Sequence, residues 1–238
     1  MKKYELIQEG KLFRIIALKD FGFIKKGELG GLIEKESNLS QKNECWVYKY
    51  AKVYGNALVS GDAQVLGDAE VRGNAKVYGN AEVSGDALVS CDAKVFGNAE
   101  VYGNALVSDD AKVYGNAKVY DNARVIDKSK VTGNAKVYGN ALVSGDARVT
   151  GNAQVSGNAQ VSGDAEVTGN AEVSGNAEVT GNAKVYGNAK VYSTAYVSGN
   201  ALVSGDARVT GNAEIYGNAK VYGNALVLEM LKYVTMLK

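Results

Sequence analysis

Lysine recurs at eighteen-residue spacing at Lys76, Lys94, Lys112 and Lys130, followed by Arg148, Glu166 and Lys184. Two residues after three of these stand Tyr78, Phe96 and Tyr114, and Tyr186 follows Lys184 in the same way. A basic column beside an aromatic one has the chemistry of a polyanion binder: ammonium groups meet phosphates and rings stack on bases. A second column at the same spacing carries Leu88, Leu106 and Leu142, with Ser90, Ser108 and Ser144 two residues on. It reads as a flat, weakly polar and nearly uncharged association face, of the kind that buries against a partner or a second copy, as in a trimer.

Both columns are consequences of a shorter period. From Val47, valine stands at every sixth residue to Val227, with Ile215 the one substitution. Alanine follows four residues after each, from Ala51 to Ala225, broken by Ser129. Between them lies Gly-Asn or Gly-Asp, as at Gly55-Asn56 and Gly61-Asp62. Ala-x-Val-x alternates with period two, the mark of a strand with Ala and Val on one face. Gly-Asn/Asp is a turn, because glycine takes positive φ freely and Asn and Asp tolerate it. The spacing predicts a four-residue strand and a two-residue bend, three of which close an 18-residue triangular coil. An α-helix is excluded: six-residue spacing holds no helical face, and glycine would interrupt every second turn.

The expected fold is all-β, a single-stranded parallel β-helix of about ten coils, or roughly 50 Å of stacked sheet. Residues 45–228 form the solenoid and 1–44 a capping segment. In the cap, Tyr4–Ile7 and Leu12–Leu18 flank Glu9-Gly10-Lys11 as a β-hairpin. Such a cap protects strand edges that would otherwise template aggregation. Residues 229–238 abandon the repeat and read as a C-terminal cap or a partner-docking tail.

The cap residues Arg14-Ile15-Ile16-Ala17-Leu18-Lys19-Asp20-Phe21, Gly27-Glu28-Leu29-Gly30-Gly31, Asn38-Leu39-Ser40 and Cys45-Trp46-Val47-Tyr48 resemble those of YdcK-type β-solenoid proteins of bacteria and phages. The repeat resembles that of hexapeptide left-handed β-helices. These resemblances imply a left-handed coil, which the spacing alone does not. They imply a fold more than an activity.

Hexapeptide acyltransferases use a histidine base, and the related γ-type carbonic anhydrases hold zinc with three. This chain has no histidine. Its register never admits the long loop that shapes a substrate pocket. No cofactor, metal or catalytic residue is therefore expected. Net charge is +1, so no global field attracts a nucleic acid. Cys45 and Cys91 fall in different slots, roughly 12 Å apart along the axis, and read as reduced thiols of a cytoplasmic protein. No apolar stretch has the length to span a bilayer. The expected role is structural: rigid flat faces presented to a protein partner or to another copy. The alternatives are an acyltransferase-like enzyme with a non-histidine base and a polyanion binder along the lysine–tyrosine column.

Overall fold

A computed structural model describes residues 2–228. It divides into two compact units, Met1–Gly115 and Asn116–Lys238. Both are parallel β-solenoid built from the six-residue repeat. The expected C-terminal cap or tail, 229–238, lies outside the described residues.

In each unit the alanines and valines of the repeat point inward, nearly all of them at 0% exposure. Small β-branched and methyl side chains are what so narrow a coil can hold. Strands eighteen residues apart pair in parallel, so that Val83 lies over Val65 and Val101 over Val83. Most strands are two residues long rather than the expected four, as at Gln64–Val65 and Gln154–Val155. The shortening has a cause in the corner. The alanine N–H turns back to bond the carbonyl three residues earlier, as Ala147 does to Ser144 at 3.4 Å. It closes a β-turn instead of joining the ladder.

Only the first corner residue has positive φ, for example Gly151 at 70°, which is the type II′ pattern. The corner asparagines keep negative φ, so they do not serve as left-handed residues. Their side chains stack instead. In the second unit Asn116, Asn134, Asn152, Asn170 and Asn188 each donate Nδ2–H to the oxygen one coil on, at 2.9–3.0 Å, ending on Asp206. An aspartate accepts but has no proton to pass on, so it ends such a ladder. Asn74 ends on Asp92 in the first unit for the same reason.

The corners that break the consensus keep its backbone conformation. Cys91, Asp109, Asp121, Asp127 and Ser193 all hold φ between 57° and 66° in the place of glycine. Asp121 and Asp127 offset that strain by accepting the N–H of Gly139 and Gly145. Ser129, fully buried in an alanine slot, donates its hydroxyl to the carbonyls of Ile126 and Val143.

The first unit begins with β1 (Tyr4–Glu9), β2 (Leu12–Ala17) and β3 (Leu29–Ile33). The expected hairpin is β1–β2, and β3 is antiparallel to β2. β3 is also parallel to Lys52–Val53, so the parallel ladder reaches back into the segment assigned to the cap. Leu39 bridges Val59, and buried Asn38 donates to the carbonyls of Gly55 and Ala57. Trp46 closes the remaining face, with Phe21 edge-on at 5.4 Å and Tyr4 at 6.3 Å.

Under the cap lies a buried lysine. Lys3 donates to the Cys45 carbonyl at 2.8 Å and to Cys45 Sγ at 3.2 Å. Burial pushes the Lys3 ammonium pKa down and the Cys45 thiol pKa up. Both cysteines are free, Cys45 buried and Cys91 exposed.

The corner imposes a graded cost. Gly151→Ala and Gly217→Ala both place a Cβ in the left-handed region, worth about 1–2 kcal/mol. At Gly151 the Cβ also meets the Gly169 backbone at 3.0 Å, whereas at Gly217 nothing lies within 4 Å. Gly151→Ala is expected to lower the denaturation midpoint further than Gly217→Ala; equal effects would mean that backbone stacking at the corner is not tight.

Candidate functional site

The outward side chains of the repeat supply the candidate surfaces. In the first unit Lys76, Lys94 and Lys112 lie in register on adjacent strands. Beside them Tyr78 and Phe96 stack with centroids 4.8 Å apart and planes 1° apart. Phe96 and Tyr114 repeat that geometry at 4.8 Å and 0°. Six members of the expected stripe are thus together, but Phe96 has a ring on each face. A base could reach its edge only, so the stacking expected from the sequence has no free central platform.

The second unit holds the other members. Lys130, Arg148, Glu166 and Lys184 are in register. Glu166 lies 3.4 Å from Arg148 and 3.3 Å from Lys184. One carboxylate between two cations interrupts the positive column. Thr132, Thr150 and Thr168 fill the slot held elsewhere by rings, and Tyr186 is 40% exposed.

The leucine face is less uniform than its leucines suggest. In the first unit Leu88 and Leu106 are adjacent, and Ser90 and Ser108 are buried at 7% and 8% exposure. Glu70 lies next to Leu88 and is bonded by Lys52 at 3.2 Å and Tyr54 at 2.9 Å. Partial burial works against the Glu70 charge, but these bonds hold its pKa below the usual carboxylate value. In the second unit Leu142 stands between Arg124 and Gln160, with Ser144 beside it. The face is therefore not nearly uncharged: positions 52, 70 and 124 share the column with the leucines.

A third surface was not singled out from the sequence. Gln64, Glu82 and Glu100 are in register in the first unit. Where this column meets the cap there is a recess of about 240 Å³, lined among others by Phe23, Glu44, Tyr48, Asp62 and Glu82. Phe23 is 90% exposed at its rim. The eighteen-residue spacing of 64, 82 and 100 was visible in the sequence, but the cap turn that brings Phe23 and Glu44 to it was not.

Among the described residues no group of His, Cys, Asp and Glu is placed to hold a metal, and no helix is long and apolar enough to cross a membrane. The aromatic stack yields a test of its own. Phe96→Ala removes two ring contacts and is expected to cost about 1–3 kcal/mol. Thr150→Ala, in the equivalent slot of the second unit, is expected to stay within about 0.5 kcal/mol. Chemical denaturation of both variants checks the difference, and equal costs would remove the stack as a stabilising feature.

Comparison with known proteins agrees with this geometry. Residues 51–67 match the family model described as YdcK Beta solenoid repeat. Residues 141–231 match the model described as Bactofilin, polymer-forming cytoskeletal. No curated protein matches the chain. With its parallel coils, hexapeptide register and antiparallel cap sheet, the chain is a β-solenoid protein whose residues 51–67 are similar to the YdcK-type repeat.

Proposed function

We propose that this protein is a non-enzymatic structural element that self-associates into ordered polymers through its solenoid. The observation that carries the proposal is the state of the terminal edges. At the start of the first unit β3 and Leu39 cover two faces, while Trp46–Val47 is the last strand of the third sheet, with Trp46 packed against Phe21 and Tyr4. At the end of the second unit, Glu214–Ile215, Lys220–Val221 and Leu226–Val227 are the last strands of their sheets. Among the described residues nothing pairs with their outer side, and Leu226 and Leu228 are each 55% exposed. Unpaired edge groups with apolar side chains are a template for another chain. The bactofilin match covers this end, and its description as polymer-forming supports the same role.

A solenoid suits the task because each added coil contacts only its neighbours, so the Leu226–Val227 edge of one copy meeting the Trp46–Val47 edge of the next, the two ends of the same sheet, extends one ladder. No movement and no chemistry is required of it. Purified full-length protein is expected to form concentration-dependent polymers by light scattering and negative-stain microscopy. Leu226→Lys places a charge on the terminal edge and is expected to raise the assembly concentration roughly tenfold, about 1.4 kcal/mol. A wild-type protein that stays monomeric at every accessible concentration would contradict the proposal.

A further inference from the structure

We propose that the lysine column of one copy docks laterally on the acidic recess of a second copy, an inference that rests on the self-association reading above. Among the described residues no carboxylate pairs with Lys76, Lys94 or Lys112. Yet the three lie directly opposite one another on neighbouring strands. Like charges so placed repel, and a counter-charge from outside the chain relieves them. The same first unit carries the complement. Glu44, Asp62 and Glu82 gather at the recess. No lysine or arginine forms an ion pair with Glu44, Asp62 or Glu82 among the described residues.

Lys76, Lys94 and Lys112 bring three cations to a recess that holds three carboxylates, so the two surfaces match in sign and number. Phe23, 90% exposed at the recess rim, adds a ring face for an ammonium group. The contact joins two different surfaces, so it is heterologous and leaves a free surface of each kind for the next copy. It is also separate from the terminal edges and joins polymers side by side.

A second copy explains more than an anionic polymer does. A nucleic acid would use the lysines alone and leave the acidic surface without a role. It would also find both faces of Phe96 occupied. Single exposed ion pairs contribute little, but along a polymer they act together, and the sum is multivalent. Such a contact weakens with salt far more than an apolar end contact does.

The test uses the full chain and two charge-reversed variants, Lys76→Glu/Lys94→Glu/Lys112→Glu and Glu44→Lys/Glu82→Lys. All alter exposed or half-exposed side chains. Polymer width is read by negative-stain microscopy and pelleting at roughly 50 mM and roughly 500 mM salt. The wild type is expected to bundle at low salt and separate into thin filaments at high salt. Each variant alone is expected to give thin filaments at both, with at least a tenfold drop in pelleted bundles. An equimolar mixture of the two is expected to bundle again, because each supplies the sign that the other lacks. Bundles that persist in either variant, or a mixture that fails to restore them, overturn the proposal. Loss in the lysine variant alone, with release of bound nucleic acid, overturns it in favour of a polyanion. A wild type without filaments at either salt contradicts the self-association reading itself.

Discussion

A coil of eighteen residues can return to its own register only if each corner reverses direction within two residues, and that requires a positive φ at the first of them. The rest of the fold depends on this. Glycine supplies the conformation in most corners at little steric cost. It also leaves the space between stacked corners free of a Cβ, which would meet the next corner's backbone at about 3 Å. Once the corners stack, valine meets valine and alanine meets alanine, and the interior becomes a column of small side chains closed to water. Five non-glycine residues hold the same φ. The corner therefore dictates conformation more strictly than residue type, and two aspartates add a bond to the next coil in partial compensation.

Much of this was legible in the sequence. The inward valines and alanines, the turning glycines and the β1–β2 hairpin all follow from period-two and period-six patterning. The role of the corner asparagines did not. Turn chemistry was a sufficient reason for Asn beside Gly. The second reason, an amide ladder between coils, appears only when residues eighteen apart are compared corner by corner. The long run of Asn at one corner from Asn80 to Asn188, closed by Asp206, was the available signal. The Lys3–Cys45 contact had none. It joins residues 42 apart through a cap whose path is set by β3 and by Trp46 packing, neither of which is periodic.

The candidate surfaces show the same division. Column membership is periodic, so Lys76, Lys94 and Lys112 share one column and Tyr78, Phe96 and Tyr114 the one beside it. Column chemistry is set by neighbours. Glu166 interrupts one column, Arg124 and the Lys52–Glu70 pair charge another, and stacking consumes the ring faces that a nucleobase would need. A repeat protein offers few concave sites. Its functional information lies in which signs and shapes recur once per coil, and in which edges are covered.

The central claim is that assembly continues the solenoid, with coils stacked along the polymer axis. Diffraction from aligned fibres of the full-length protein tests this most directly. The account predicts a sharp reflection at about 4.8 Å on the meridian, since strands then lie across the fibre axis and stack along it. A 4.8 Å reflection on the equator would place the coil axis across the fibre and contradict end-to-end growth.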